Sequence, residues 1–233
     1  MNKFFKPTNL WVTALTLILL VPLSSQATIT SGVVTGGGSL SQGGTFVKLN
    51  VPFNESTPVN TVGNNTFQDP NLYGFDEGQN IVITSDLNVD ILADGMGSQL
   101  MGPGILPMGS TVASHYVFFD PAGNTTQVGT VTFDSQIFGI ITSTGNLAAS
   151  DFLINNGVNY LNPSERGLEP GQDTVSIVGL NTIEVNWFAS TPGDYVRVIT
   201  DFSPGAVIPI PAAFWLFGTA LVGLAGISKR RKT

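Results

Sequence analysis

Apolar and polar positions alternate with a period of two along much of the chain, which is the signature of strands. In residues 87–92, Leu87, Val89 and Ile91 alternate with Asp86, Asn88 and Asp90. Residues 127–133 (QVGTVTF) alternate too, with Val128 and Thr130 sharing one side. Residues 111–119 (TVASHYVFF) are rich in β-formers, and 137–142 form a continuous apolar run. Residues 81–84, 174–178, 182–188 and 194–200 add further strands, and 45–51 (TFVKLNV) another. Turns fall at 120–124 (DPAGN), 179–181 and 191–193 (TPG). Residues 31–44 are Gly/Ser-rich and read either as a flexible lead-in or as a strand over 28–34 followed by a turn. Residues 54–71 read as a long surface loop. A helical period is scarce, and residues 148–154 offer one or two turns after Asn146. Many short strands with Gly/Pro turns predict an all-β body over residues 28–205, a β-sandwich of jelly-roll type. Phe118, Phe119, Phe133, Phe138 and Trp187 are its expected core.

Both ends break this pattern. Lys3 and Lys6 precede an apolar run over residues 10–21 (LWVTALTLILLV), broken by Pro22. Ser25 and Ala27 then supply small residues before a cut between Ala27 and Thr28. This is the plan of a secretory signal peptide over residues 1–27; the plainer alternative is an uncleaved membrane anchor. At the other end, residues 206–227 (AVIPIPAAFWLFGTALVGLAGI) carry no charge. As a helix they would span about 33 Å, enough to cross a bilayer core. Lys229, Arg230, Arg231 and Lys232 follow, a basic cluster that stays on the cytoplasmic side. Pro209 and Pro211 keep the chain extended just before the helix.

The tail over residues 206–233 resembles the PEP-CTERM sorting tails recognised by exosortases. The matching residues are Pro209, Ile210, Pro211, Ala212 and Ala213, then Trp215, Leu216, Phe217 and Gly218, then the basic cluster. The tail is similar to the V-P-L-P-A-A-x-W-L-F-G variant; Ile210 stands where the name-giving pattern has Glu. The resemblance implies export in a Gram-negative bacterium that makes exopolysaccharide. It also implies processing by a membrane-embedded exosortase, a protease or transpeptidase. The body would be periplasmic and held at the inner membrane by the tail helix, then delivered to the outer surface or extracellular matrix, with exopolysaccharide as a partner. The bodies of such proteins are diverse, so the tail does not name the body's activity.

Charge sharpens the contrast between ends and body. The chain has nine Lys and Arg against sixteen Asp and Glu, a net −7. Only Lys48, Arg166 and Arg197 are basic within residues 28–205, where all sixteen acids fall, so the body stands at −13. Such a body repels phosphate, which excludes nucleic acid as a partner. There is no cysteine, so neither a disulfide framework nor a thiol nucleophile exists.

Candidate chemistry is sparse. His115 is the single histidine, and Ser114 beside it points to the opposite face of the strand, so the two form no catalytic pair. A hydrogen-bonded or exposed strand histidine is the simple account. One histidine and no cysteine leave calcium as the metal to consider. Asp86, Asn88 and Asp90 match the opening of an EF-hand loop, but Ile91 and Gly97 occupy its Gly and Glu positions. The simpler account puts these three on a solvent face. No cofactor is expected. The resemblance of the tail, together with the lack of a catalytic constellation, implies a non-enzymatic envelope or matrix protein. The alternatives are a carbohydrate-binding or calcium-dependent adhesive module, with Tyr73, Phe75, Tyr160 and Tyr195 exposed near turns, and last a hydrolase of matrix polysaccharide using two of the sixteen acids.

Overall fold

The computed structural model describes residues 27–99 and 102–202. These residues are mostly β-strands with few helices, an all-β fold. In chain order the strands are β1 (Ile29–Gly36), β2 (Phe46–Lys48), β3 (Thr61–Val62), β4 (Leu72–Asp76), β5 (Ile81–Val82), β6 (Leu87–Val89), β7 (Ile91–Leu92) and β8 (Gly104–Leu106). There follow β9 (Thr111–Phe119), β10 (Thr125–Phe133), β11 (Ile137–Ile141), β12 (Asn159–Tyr160), β13 (Thr174–Gly179), β14 (Thr182–Ala189) and β15 (Asp194–Asp201). Two short helices, α1 (Gly37–Ser41) and α2 (Thr144–Ala149), interrupt them.

A four-stranded antiparallel sheet runs β1-β10-β14-β13. A seven-stranded sheet runs β2-β4-β9-β15-β11-β7, with β5 also paired to β9. In it only β2 and β4 are parallel. Two small pairs, β3 with β12 and β6 with β8, lie apart.

Two apolar clusters flank the seven-stranded sheet. One joins the two sheets: Val131 and Phe133 of β10 and Ile183, Val185 and Trp187 of β14 meet Val117 and Phe119 of β9 and Val196 and Val198 of β15. The other lies on the far face. There Tyr73, Phe75, Tyr116, Phe118 and Tyr195 of the sheet pack against Phe53, Phe67, Leu147, Leu153 and Val158 from the connecting segments. Hence β14, with one face on a core, alternates strictly, while β9 and β15 are buried along almost their whole length. Each fully buried side chain of this size contributes about 1.5–3 kcal/mol against exposure.

Residues 28–34 form β1 and continue into α1, so the lead-in is structured. The predicted strand over 87–92 divides into β6 and β7 around Asp90. The alternation of β10 buries Gln127, Gly129, Val131 and Phe133, leaving Val128 and Thr130 on the outer side. The expected core residues Phe118, Phe119, Phe133 and Trp187 are buried, and Phe138 is partly buried against the far-face cluster. The helix starts earlier than its predicted 148–154, at Thr144, because Asp90 caps it from a distance. The Asp90 carboxylate accepts the backbone N–H groups of Thr142 and Ser143 at 2.7 and 2.8 Å, and Asn146 Nδ2 at 2.6 Å.

Candidate functional site

Three charged regions of the body hold its candidate chemistry. The first surrounds Thr28 and the start of β1. Asp76 closes β4 and pairs in register with His115 of β9. Its Oδ1 accepts the Ile29 N–H at 2.9 Å and meets His115 Nδ1 at 2.8 Å. Its Oδ2 accepts the Thr28 hydroxyl at 2.7 Å and lies 2.9 Å from Lys48 Nζ. Lys48 Nζ also donates to the Thr28 hydroxyl. The Thr28 N–H donates to Asp134 Oδ1 at 2.9 Å. His115 is buried, and Nε2 meets the Thr200 hydroxyl at 3.0 Å. Burial pushes the Asp76 carboxyl up. The hydrogen bond and charge of His115, the Ile29 N–H and Lys48 outweigh it, and the group settles at about 2.

The second region lies on the far face of the sheet. Arg197 of β15 is fully buried beside Glu77, which follows β4. Arg197 Nε and Nη2 reach the two Glu77 oxygens at 2.7 and 3.1 Å. Ser114 Oγ donates to Glu77 Oε2 at 2.6 Å, and Tyr160 OH to Oε1 at 2.7 Å. Arg197 Nη1 donates to the Leu147 carbonyl at 3.0 Å, which ties α2 to the sheet. Arg166 grips Asp151 with two bonds, 2.9 and 2.8 Å. Both Glu77 oxygens and all three Arg197 nitrogens meet complementary groups inside the protein, so the network locks the irregular segments onto β9 and β15.

The third region is acidic. Asp194 opens β15, placed by a turn through Gly193, whose φ is +93° and whose Cβ, were there one, would lie 2.6 Å from the Phe119 carbonyl. Alternation puts Asp194 on the side of Val196 and Val198, toward the core between the sheets. Glu169 and Asp173 lie on the segment leading into β13. The Asp173 carboxylate accepts the Phe188 N–H at 2.7 Å and the Glu169 N–H at 3.2 Å. One carboxylate oxygen from each of Glu169, Asp173 and Asp194 lies within 4.8 Å of the others. Beside them opens a cleft of ≈ 640 Å³, where Thr142, Ser143, Thr174 and Ser176 are set among the apolar Ile91, Leu168, Pro170 and Val175.

The residues singled out by sequence fall unevenly across these regions. His115 is a hydrogen-bonded strand residue, and Ser114 faces away from it to Glu77, as alternation requires. Asp86, Asn88 and Asp90 do not converge as calcium ligands. Asp86 Oδ1 accepts the Met108 N–H at 2.9 Å, Asn88 is exposed, and Asp90 caps α2. The aromatic candidates are corrected too. Tyr73, Phe75 and Tyr195 are buried, and Tyr160 is half-buried with its hydroxyl turned in to Glu77. The connecting segments fold back over them, as the ring contacts Phe67–Tyr73 at 4.5 Å and Phe53–Phe75 at 5.7 Å record.

Glu169, Asp173 and Asp194 escaped the sequence reading. The run Glu-Pro-Gly-Gln-Asp over 169–173 marks a turn flanked by acids, but nothing local connects it to Asp194. Of the terminal candidates, Ala27 and Thr28 are described, and Ala27 is buried. The rest of the signal stretch lies outside the described residues. So do Pro209 to Gly218, the tail helix and Lys229 to Lys232. Among the described residues no helix is long and apolar enough to cross a membrane. Compared with protein-family profiles, curated proteins and solved structures, the chain finds no match.

Proposed function

We propose that this chain is an exported, non-enzymatic protein of the bacterial envelope or extracellular matrix, sorted by an exosortase-type system through its tail. Residues 1–27 direct export and are removed. Residues 28–205 form the functional body, a jelly-roll-like β-sandwich. Residues 206–233 hold it at the inner membrane, body outward, until an exosortase processes the tail.

The observation that carries this reading is the order of features at the C-terminal end: the proline pair, the Trp-Leu-Phe-Gly run, an uncharged stretch and the basic cluster. Two features of the body support it. The Thr28 N–H faces the Asp134 carboxylate, and Asp76 is bonded to the Thr28 hydroxyl. A free α-ammonium left there by cleavage after Ala27 would meet two carboxylates. The body's groups with catalytic chemistry also support the reading. His115, Glu77 and Arg197 are bonded to one another's neighbours inside the core, away from any substrate.

Fractionation of cells making the full chain or a chain ending at Gly205 tests the proposal. The full chain is expected in the envelope or matrix, and the truncated one released in soluble form. Retention of the truncated chain in the same fraction would overturn the role of the tail. A second reading, carbohydrate binding by the body, rests on one observation. The cleft beside Glu169 and Asp173 sets Ser and Thr side chains among apolar ones, a mixture that suits a sugar ring, and a glycan array with no bound member would remove this reading.

A further inference from the structure

The described body has three permanently cationic side chains, and each is committed. Lys48 pairs with Asp76, Arg166 with Asp151, and Arg197 with Glu77 and Asp151. None forms an ion pair with the acidic group at the start of β15. There Asp194 is 1% exposed and Asp173 8%, and Asp194 Oδ2, wholly shielded from water, meets no donor. A buried carboxylate oxygen without a donor or a cation is costly. Burial pushes the Asp194 carboxyl up, and the charges of Asp173 and Glu169 push it further, to about 9. Three ionised carboxylates here would oppose one another, so without a cation the cluster takes up a proton.

We propose that Glu169, Asp173 and Asp194 form a calcium site. Calcium binds oxygen ligands at about 2.3–2.6 Å, so two oxygens of one shell lie at most about 5 Å apart. The three carboxylate oxygens, within 4.8 Å of one another, satisfy that limit. The donors are all hard oxygens, which suits Ca²⁺ and disfavours zinc and copper. Glu169 is exposed, so water completes the shell from the cleft side; calcium's loose geometry accepts such a mixed set, whereas Mg²⁺ demands a near-ideal octahedron. The ion supplies the positive charge that this end of the body lacks.

A glycosidase pair does not account for the cluster. Both of its carboxyls must open onto one sugar, and Asp194 is closed to solvent. The site instead has a structural consequence. Asp173 already accepts the Phe188 N–H of β14, and Tyr195 N–H donates to the Gly167 carbonyl at 3.3 Å. A bound ion thus joins the segment before β13 to the ends of β14 and β15, across the two sheets. It also places a cation at the rim of the cleft that Glu169 and Asp173 help to line.

The site concerns the body alone, and its test is indifferent to where the cell delivers the protein. The full-length chain, purified in mild detergent and stripped with a chelator, is melted at about pH 8 with CaCl₂ raised to about 10 mM, which covers the range of extracellular calcium modules. Matched NaCl and MgCl₂ series serve as references. Calcium is expected to raise the midpoint by about 3–10 °C. In Asp194→Asn the shift disappears, and the metal-free midpoint exceeds that of the native chain, because folding no longer requires a carboxylate to take up a proton or stay charged in the core. Glu169 is exposed, so Glu169→Gln leaves the fold intact and reads the site alone; its shift falls to less than half. No shift in the native chain overturns the proposal, as does an equal shift in Glu169→Gln. A response to Mg²⁺ as large as that to Ca²⁺ overturns the assignment to calcium.

Discussion

Asp194 and Arg197 stand three residues apart on β15 and face opposite sides of the same sheet. Both are buried, and their surroundings differ in one respect. Arg197 meets Glu77, Ser150, the Leu147 carbonyl and the face of Tyr116 at 5.9 Å. Asp194 meets two more acids. On the far side of the sheet, irregular segments lie over the strands, and their exposed backbone must be tied down by complementary charge. On the near side, two regular sheets satisfy their own hydrogen bonds, so an apolar core suffices, and charge gathers only at its end. The comparison teaches that burial alone does not decide what a charge does in this fold. A carboxylate with donors, such as Asp76, is held near 2, and one without them, such as Asp194, rises to about 9.

The largest effect should come from breaking the compensated side. Arg197→Ala leaves the Glu77 carboxylate buried beside two hydroxyls with no cation. Urea unfolding of the full chain is expected to lose about 3–5 kcal/mol. Adding Glu77→Gln should restore a large part of it. A loss below about 1 kcal/mol would mean that the network is not what secures the overlying segments.

Acid and base should then separate the two carboxylates. The Asp76 carboxyl is lowered from 3.8 to about 2 on folding, so its stabilising contribution is complete above 3.8 and is lost as pH falls toward 2. That contribution is about 2 kcal/mol. Asp194 behaves oppositely. With its carboxyl raised from 3.8 to about 9 beside Glu169 and Asp173, the metal-free fold binds a proton that the unfolded chain releases. Its contribution is complete below 3.8 and declines as pH rises toward 9. Unfolding free energy measured in chelator across this range should therefore fall at both ends in the native chain. In Asp194→Asn the alkaline decline should flatten, while the acid decline persists.

The smallest effect concerns Asp90. Asp90→Asn keeps the size of the cap but removes its charge and one acceptor, at a cost of about 1 kcal/mol. Hydrogen exchange at α2 is the sensitive readout, and unchanged protection there would remove the capping account.

Legibility in the sequence followed the same division. Strands β9, β14 and β15 were readable within a residue or two, because β-branched and aromatic runs persist whether one face is buried or both. Strand β4, central in the seven-stranded sheet, was not. It is five residues long, and Gly74 interrupts its apolar run where a Cβ would lie 2.8 Å from Ile29 Cδ1. Tyr73, Phe75 and Tyr195 sit beside turns, so local reading put them outside; only the return of residues 51–68 and 144–160 over the sheet buries them. Alternation alone separates His115 from Ser114, but it leaves open whether the histidine is hydrogen-bonded or exposed; its contacts with Asp76 and Thr200, distant in sequence, decide that. The acidic cluster depends on a contact between residues 169–173 and 194, and no local pattern carries that contact. Asp90 shows the converse: its spacing with Asp86 and Asn88 suggested a ligand set, yet its partners lie more than fifty residues away on α2 and the segment before it.

The central claim is that the body is released from both ends of the chain, with Thr28 as its first residue. The intact mass of the protein recovered from the source cell's envelope or matrix tests it directly. The account predicts a chain beginning at Thr28 and ending short of Lys229. A mass matching all 233 residues would contradict both processing steps.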